Sequence, residues 1–220
     1  MQEQTGLYNS RIVKTYIAYV TRYYPQLDIE ALLAAAGIRL WEVDDTAHWF
    51  SQAQTDALNR VLVEATEDPN IAQEAGRFIT STEGLGPIRQ YTLGLLGLEG
   101  IFLWMEKLYP LITRGASVKT RKLGARKVEI VSTPKPGVAE KRYQCDNRIG
   151  KFEAIAKLFT GEFAKVEHST CLHHGGERCD YDVSWEPLAS TRWKQALRFG
   201  SVAAVLSIYV GAGFLSVGHW

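Results

Sequence analysis

The chain has 220 residues, 46% hydrophobic and 22% charged, with a formal net charge of +1. That length can bury a full core, and a charge so close to zero supplies no global field for nucleic acid or an acidic partner. Three cysteines are an odd number for a disulfide framework, and the opening Met-Gln-Glu-Gln-Thr-Gly-Leu-Tyr lacks the basic and apolar regions of a signal peptide. A reducing, cytosolic setting is expected, in which clustered thiols read as metal ligands.

Residues 1–84 read as an N-terminal helical region. The first helix covers about 9–24 and ends at Pro25; Ile12, Tyr16, Tyr19 and Tyr23 form one stripe, and Val13, Ile17, Val20 and Tyr24 another. A helix apolar on two sides is buried on both, or lends one side to a partner. Asp28 can cap a helix running to Ala36, with Gly37 as its stop. Ser51-Gln-Ala-Gln54 is a capping box that opens a helix to about Ala65. Asp68-Pro69 starts another short helix, since proline suits the first helical position.

Ser81 to Pro87 reads as a joint leading into the longest helix, about Pro87–Thr113. Leu95, Leu98, Phe102, Met105 and Leu108 mark its apolar side. Tyr91, Phe102 and Trp104 are the candidate ligand-pocket residues on it; ordinary core aromatics are the alternative.

After Arg114 the hydrophobic period changes from 3.6 to 2. Ser117–Lys122 and Lys127–Ser132 form a hairpin across Leu123-Gly124, and its basic run reads as a solvated face. A third extended piece, about Glu140–Gln144, leads into Cys145, and Asn147 caps a helix to Thr160 that Gly161 stops. Phe163–His168 and the alternating run from Cys179 to Trp185 are further strands. The expected fold class is α+β: N-terminal helices followed by an antiparallel sheet in hairpin-helix-hairpin order.

Cys145, His168, Cys171 and Cys179 stand in the spacing Cys-x22-His-x2-Cys-x7-Cys. Three thiols and an imidazole are the donor set of a closed, tetrahedral structural zinc site. His173 and His174 are rival fourth ligands, and thiols acting as small buried hydrophobes are the alternative reading. One geometric condition applies. Residues three apart on a straight strand face opposite sides, so His168 and Cys171 can share a metal only if Ser169-Thr170 sits in a turn or bulge.

Residues 187–198 read as a basic linker, and 199–217 as a C-terminal transmembrane helix. Phe199 to Val217 carries no charge and is near the shortest length that crosses a bilayer core. Arg192, Lys194 and Arg198 precede it, which places the N-terminal region on the cytoplasmic side of the inner membrane. A C-terminal helix buried in the soluble core is the alternative.

With these residues in place, the C-terminal half resembles the 4-vinyl reductase-like small-molecule-binding domain, which belongs with the haem NO-binding-like folds. The likeness covers roughly 85–186 and is carried by Cys171-Leu-His-His-Gly-Gly-Glu-Arg-Cys179-Asp-Tyr-Asp-Val-Ser-Trp185. In phenol-responsive activators with this domain a structural zinc is held by three cysteines and a carboxylate. The resemblance sets Cys145, Cys171 and Cys179 on those cysteines and His168 on the carboxylate. Several of the family's aromatic pocket positions fall here on Val118, Gly124 and Ile149.

Tyr8-Asn-Ser-Arg-Ile-Val, His48-Trp-Phe-Ser-Gln and Glu74-Ala-Gly-Arg-Phe are similar to the input regions of bacterial sensor histidine kinases. No nucleotide-binding glycine box or phosphoacceptor histidine segment is present, and the Tyr-x-Ser-x-Arg clamp of haem relatives is absent. The resemblance implies a non-enzymatic, cytoplasmic sensory domain of a membrane-tethered signalling protein. It implies a homodimer with a structural zinc and a small hydrophobic or aromatic effector. A ligand-free assembly module and a tetrapyrrole-related enzyme are the alternatives.

Overall fold

Asn9 joins the start of the chain to two later segments. Its backbone N–H donates to Ile112 O at 2.9 Å and its Nδ2 donates to Thr46 O and His48 O at 3.0 and 3.2 Å. Its Oδ1 accepts from Arg11 N and so caps the first helix. The computed structural model describes residues 6–80 and 97–187, and one unit of the chain runs through Trp185.

A two-residue strand, β1 (Tyr8–Asn9), pairs antiparallel with β2 (Trp49–Phe50). Around this pair lie α1 (Ser10–Tyr23), α2 (Ile29–Ala35), α3 (Leu40–Asp44), α4 (Gln52–Thr66) and α5 (Ile71–Phe78). Asp28 caps α2, Gly37 takes a φ of 68° after it, and the Ser51–Gln54 capping box opens α4. Val13, Val20, Leu33, Phe50, Leu62 and Ile71 make the core of this helical layer.

The second core belongs to a four-stranded antiparallel sheet and the helices over it. Its strands are β3 (Ala116–Gly124), β4 (Lys127–Pro134), β5 (Lys165–Thr170) and β6 (Cys179–Ser184), in the order β3-β4-β6-β5. Val128 and Ile130 on β4 and Tyr181 and Val183 on β6 turn inward, between outward-facing polar neighbours. Helices α6 (Gly97–Leu108) and α7 (Arg142–Thr160) supply Phe102, Cys145, Phe152 and Ala156 to the same core. The α+β expectation holds, helices first and an antiparallel sheet after.

Three local expectations need correction. The long helix ends at Leu108 rather than Thr113, where a 3-10 turn over Tyr109–Leu111 takes its place. Pro110 has no N–H to continue the helical ladder. Glu140–Gln144 is not an extended piece, because α7 already starts at Arg142. Asn147 is therefore not a cap: it lies inside α7, where its Nδ2 donates to Ala72 O at 2.9 Å. The start of α7 is closed instead by the Gln144 side chain, whose Oε1 accepts from Lys141 N at 2.6 Å.

No helix among the described residues is long and apolar enough to cross a membrane. The expected span at 199–217, residues 188–198 of the basic linker before it and Tyr91 lie outside the described residues.

Candidate metal centre and cavity

Cys145 sits in the first turns of α7, His168 on edge strand β5, Cys171 just after that strand, and Cys179 at the start of β6. Their ligand atoms all lie within 4.8 Å of one another, so the four could hold a metal ion. Cys145 Sγ and Cys179 Sγ are 3.6 Å apart, and all three thiols are buried and free of disulfides. His168 Nε2 is buried without a hydrogen-bond partner, a costly state unless a donor or a metal fills it. Its ring is stacked on Tyr181 at 4.3 Å between centroids, which fixes the imidazole plane.

The local backbone explains how His168 and Cys171 come to face one point. The β5–β6 register shifts between His168 and Thr170, a bulge at Ser169 of the kind that re-aims a side chain. After Thr170 the chain turns tightly: His174 N and Gly176 N both donate to Cys171 O, at 3.0 and 2.9 Å. Gly175 takes a φ of 85°, and His173 N donates to Cys171 Sγ at 3.4 Å. The rival ligands His173 and His174 are exposed on this turn, and His174 Nε2 meets Arg142 Nη1 at 3.2 Å instead.

Two of the thiols interact strongly. The Cys179 thiol is drawn far below its usual range, chiefly by the hydrogen bond from Cys145 and against its own burial. Cys145 is pushed up, first as the donor to Cys179 and then by burial. A thiol lowered in this way leans toward the thiolate, the form that binds metal.

A separate cavity, with free space of about 50 Å³, lies between α1, α4, α7 and the 109–113 segment. Its walls carry Tyr16, Asn59, Tyr109, Tyr143, Arg148 and Lys151 among further polar and apolar side chains. Arg148 Nε donates to Tyr109 Oη at 2.9 Å, and its Nη2 pairs with the buried Glu140 carboxylate. Asn59 Oδ1 and Arg148 Nη1 are buried without partners. Lys151 keeps some accessible surface but makes no hydrogen bond or ion pair among the described residues. Burial, with Arg148 close by, pulls its amine down to about 7.

The pocket residues expected from the sequence stand elsewhere. Phe102 is fully buried and stacked on Trp185 at 5.4 Å, and Trp104 is exposed under Lys107 Nζ at 5.0 Å. Neither lines the cavity. The cavity itself carries little sequence signal, because residues from segments far apart in the chain build it. The polar face of α7 at Gln144, Asn147, Arg148 and Lys151 is the one trace it leaves.

Comparison with known proteins places the fold. No family model matches the chain, and no curated protein does. Among solved structures it resembles an H-NOX protein from S. oneidensis in the Fe(II) ligation state, with TM-score 0.65 and 13% identity over 82% of this chain and 97% of that one. It also resembles an oxygen-binding H-NOX domain related to soluble guanylate cyclases, with TM-score 0.61 and 17% identity over 82% of this chain and 96% of that one. The chain has an α+β, H-NOX-like fold.

Proposed function

We propose that this chain is the cytoplasmic, small-molecule sensory domain of a membrane-tethered bacterial signalling protein. In this reading it is a 4-vinyl reductase-like variant of the H-NOX-like fold, non-enzymatic and homodimeric, with a structural zinc. The observation that carries the reading is the convergence of Cys145, His168, Cys171 and Cys179 where α7 meets the β5–β6 hairpin. Four protein ligands close a zinc site and leave no open position for substrate, so the metal would supply rigidity. It would fix one end of α7, the helix whose opposite face lines the cavity. A ligand there changes signalling only if it binds two states of the protein with different affinity.

The solved neighbours include structures described by their haem, among them a study of haem distortion in the H-NOX family. The described residues of this chain do not fit that group. Space for a few waters is far too little for a tetrapyrrole. Among the described residues no histidine lines the cavity: His48 packs between Trp41 and Phe50, His168 faces the thiols, and His173 and His174 lie on the exposed turn. Helix α6 contains no histidine, cysteine or tyrosine among its described residues.

Elemental analysis and visible absorption of the purified chain, held in detergent because of the apolar 199–217 segment, test both points together. About one zinc per chain, no iron and no Soret band are expected. A Soret band with stoichiometric iron would replace this reading with a haem sensor, and a folded, reduced chain without metal would remove the staple.

A further inference from the structure

Resting on the sensory reading above, the cavity's own chemistry narrows its ligand. Arg148 is already balanced by Glu140, and among the described residues no Asp or Glu lines the cavity. Among the described residues Lys151 is a lining cation without a counter-charge, and Asn59 Oδ1 is an acceptor left without a donor. Each is costly to bury alone. One ligand resolves both if it carries a single negative charge and a hydrogen-bond donor on a compact frame. An ammonium-bearing ligand is disfavoured as the donor, because Arg148 and Lys151 lie together on one helical face, three residues apart. A hydroxyl satisfies Asn59 without that repulsion.

We propose that the cavity between α1, α4 and α7 binds a compact hydroxycarboxylate, its carboxylate held by the Lys151 ammonium in the field of Arg148 and its hydroxyl donating to Asn59 Oδ1. The apolar surfaces of Ile12, Val13 and Leu58 would enclose its carbon frame. The site differs from the aromatic pocket that the family resemblance implies, since Ile149 belongs with the other core, on the opposite side of α7.

Calorimetric titration of the zinc-analysed full chain with glycolate tests the assignment, with acetate, glycine and benzyl alcohol as comparators. Saturable glycolate binding is expected, tighter than acetate or glycine. Lys151→Met should weaken glycolate about tenfold or more, and Asn59→Leu should bring glycolate down to the level of acetate. Lys151→Met removes an unpaired buried amine, so it should remain folded; the thermal transition of each variant checks this. Benzyl alcohol binding that depends on Asn59 while glycolate fails would overturn the hydroxycarboxylate and leave the sensory reading standing. Glycolate binding unchanged in Lys151→Met would overturn the site. No saturable binding of any probe to a folded, zinc-loaded chain would overturn both and favour an assembly module.

Discussion

Gly150 of α7 lies directly against the main chain of Gln73 on α5. A Cβ at Gly150 would overlap the Gln73 carbonyl oxygen, and one at Gly76 would overlap the Asn147 carbonyl oxygen. The two helices therefore cross backbone to backbone. The crossing is secured by Asn147 Nδ2 on Ala72 O and by Glu153, which accepts from Arg77 Nε at 2.7 Å. This contact sets how far α7 stands from the N-terminal helices, and so the width of the cavity they share.

Gly150→Ala should thus destabilise the protein, although alanine is the better helix former. The gain in helix propensity is about 1 kcal/mol, while separating two backbones in a packed core costs more, about 3 kcal/mol. Urea unfolding measures the difference. Gly124→Ala, where an added Cβ meets nothing, is the control and should stay within about 0.5 kcal/mol of the parent.

At the candidate metal centre the prediction separates proposed ligands from bystanders. His168→Ala and Cys171→Ser should lose the metal and lower the thermal midpoint, since metal binding to a folded site is folding free energy. Combined His173→Ala and His174→Ala should keep the metal, because both rings are exposed away from the thiols. His168→Glu should retain binding, a carboxylate being an accepted zinc donor. Zinc content after dialysis against a chelator reads all three.

The cluster of Cys145, His168, Cys171 and Cys179 left a trace in the sequence because soft donors are few, although spacing alone kept His173 and His174 as rivals for the fourth place. The bulge condition between His168 and Cys171 follows from strand geometry alone, and the register shift at Ser169 meets it. The helical caps at Asp28 and Ser51 were legible for the same local reason. Asn147 was misread because capping is only one use for a short amide. Here a tertiary acceptor, Ala72 O, lies within reach and the helix starts five residues earlier. The cavity was hidden for a different reason. Asn59 and Lys151 are 92 residues apart in the sequence, and nothing local marks either as unpaired.

Glu140 and Arg148 form a buried ion pair, with side chains 1% and 7% exposed. Glu140→Gln should destabilise by about 3–5 kcal/mol, since it strands a guanidinium in the interior. Replacing both partners, Glu140→Gln with Arg148→Met, should recover part of that loss, because a neutral pair strands no charge. Denaturant midpoints of the two single variants and the double variant measure the coupling.

Lys151 gives the fold a pH dependence whose sign is fixed by the direction of its shift. Burial lowers the amine from 10.5 to about 7 in the folded chain. Among the groups around it, Arg148 on α7 carries the charge, and burial pushes the phenols of Tyr8, Tyr16 on α1 and Tyr143 on α7 further up. Asp56 on α4 is occupied by Gln52 and Tyr143, and Glu140 by Arg148. Between the folded and unfolded values the unfolded chain holds a proton that the folded chain does not, so stability rises with pH across that window. Below the folded value both states are protonated and the penalty of the buried ammonium is complete. Lys151→Met removes that penalty and should stabilise the chain by on the order of 1–2 kcal/mol at pH 6, allowing for the amine's partial solvent access. The gain should shrink steadily toward pH 9. Denaturant unfolding of both proteins across that range checks the slope, and a gain that does not change with pH would place the Lys151 amine in solvent.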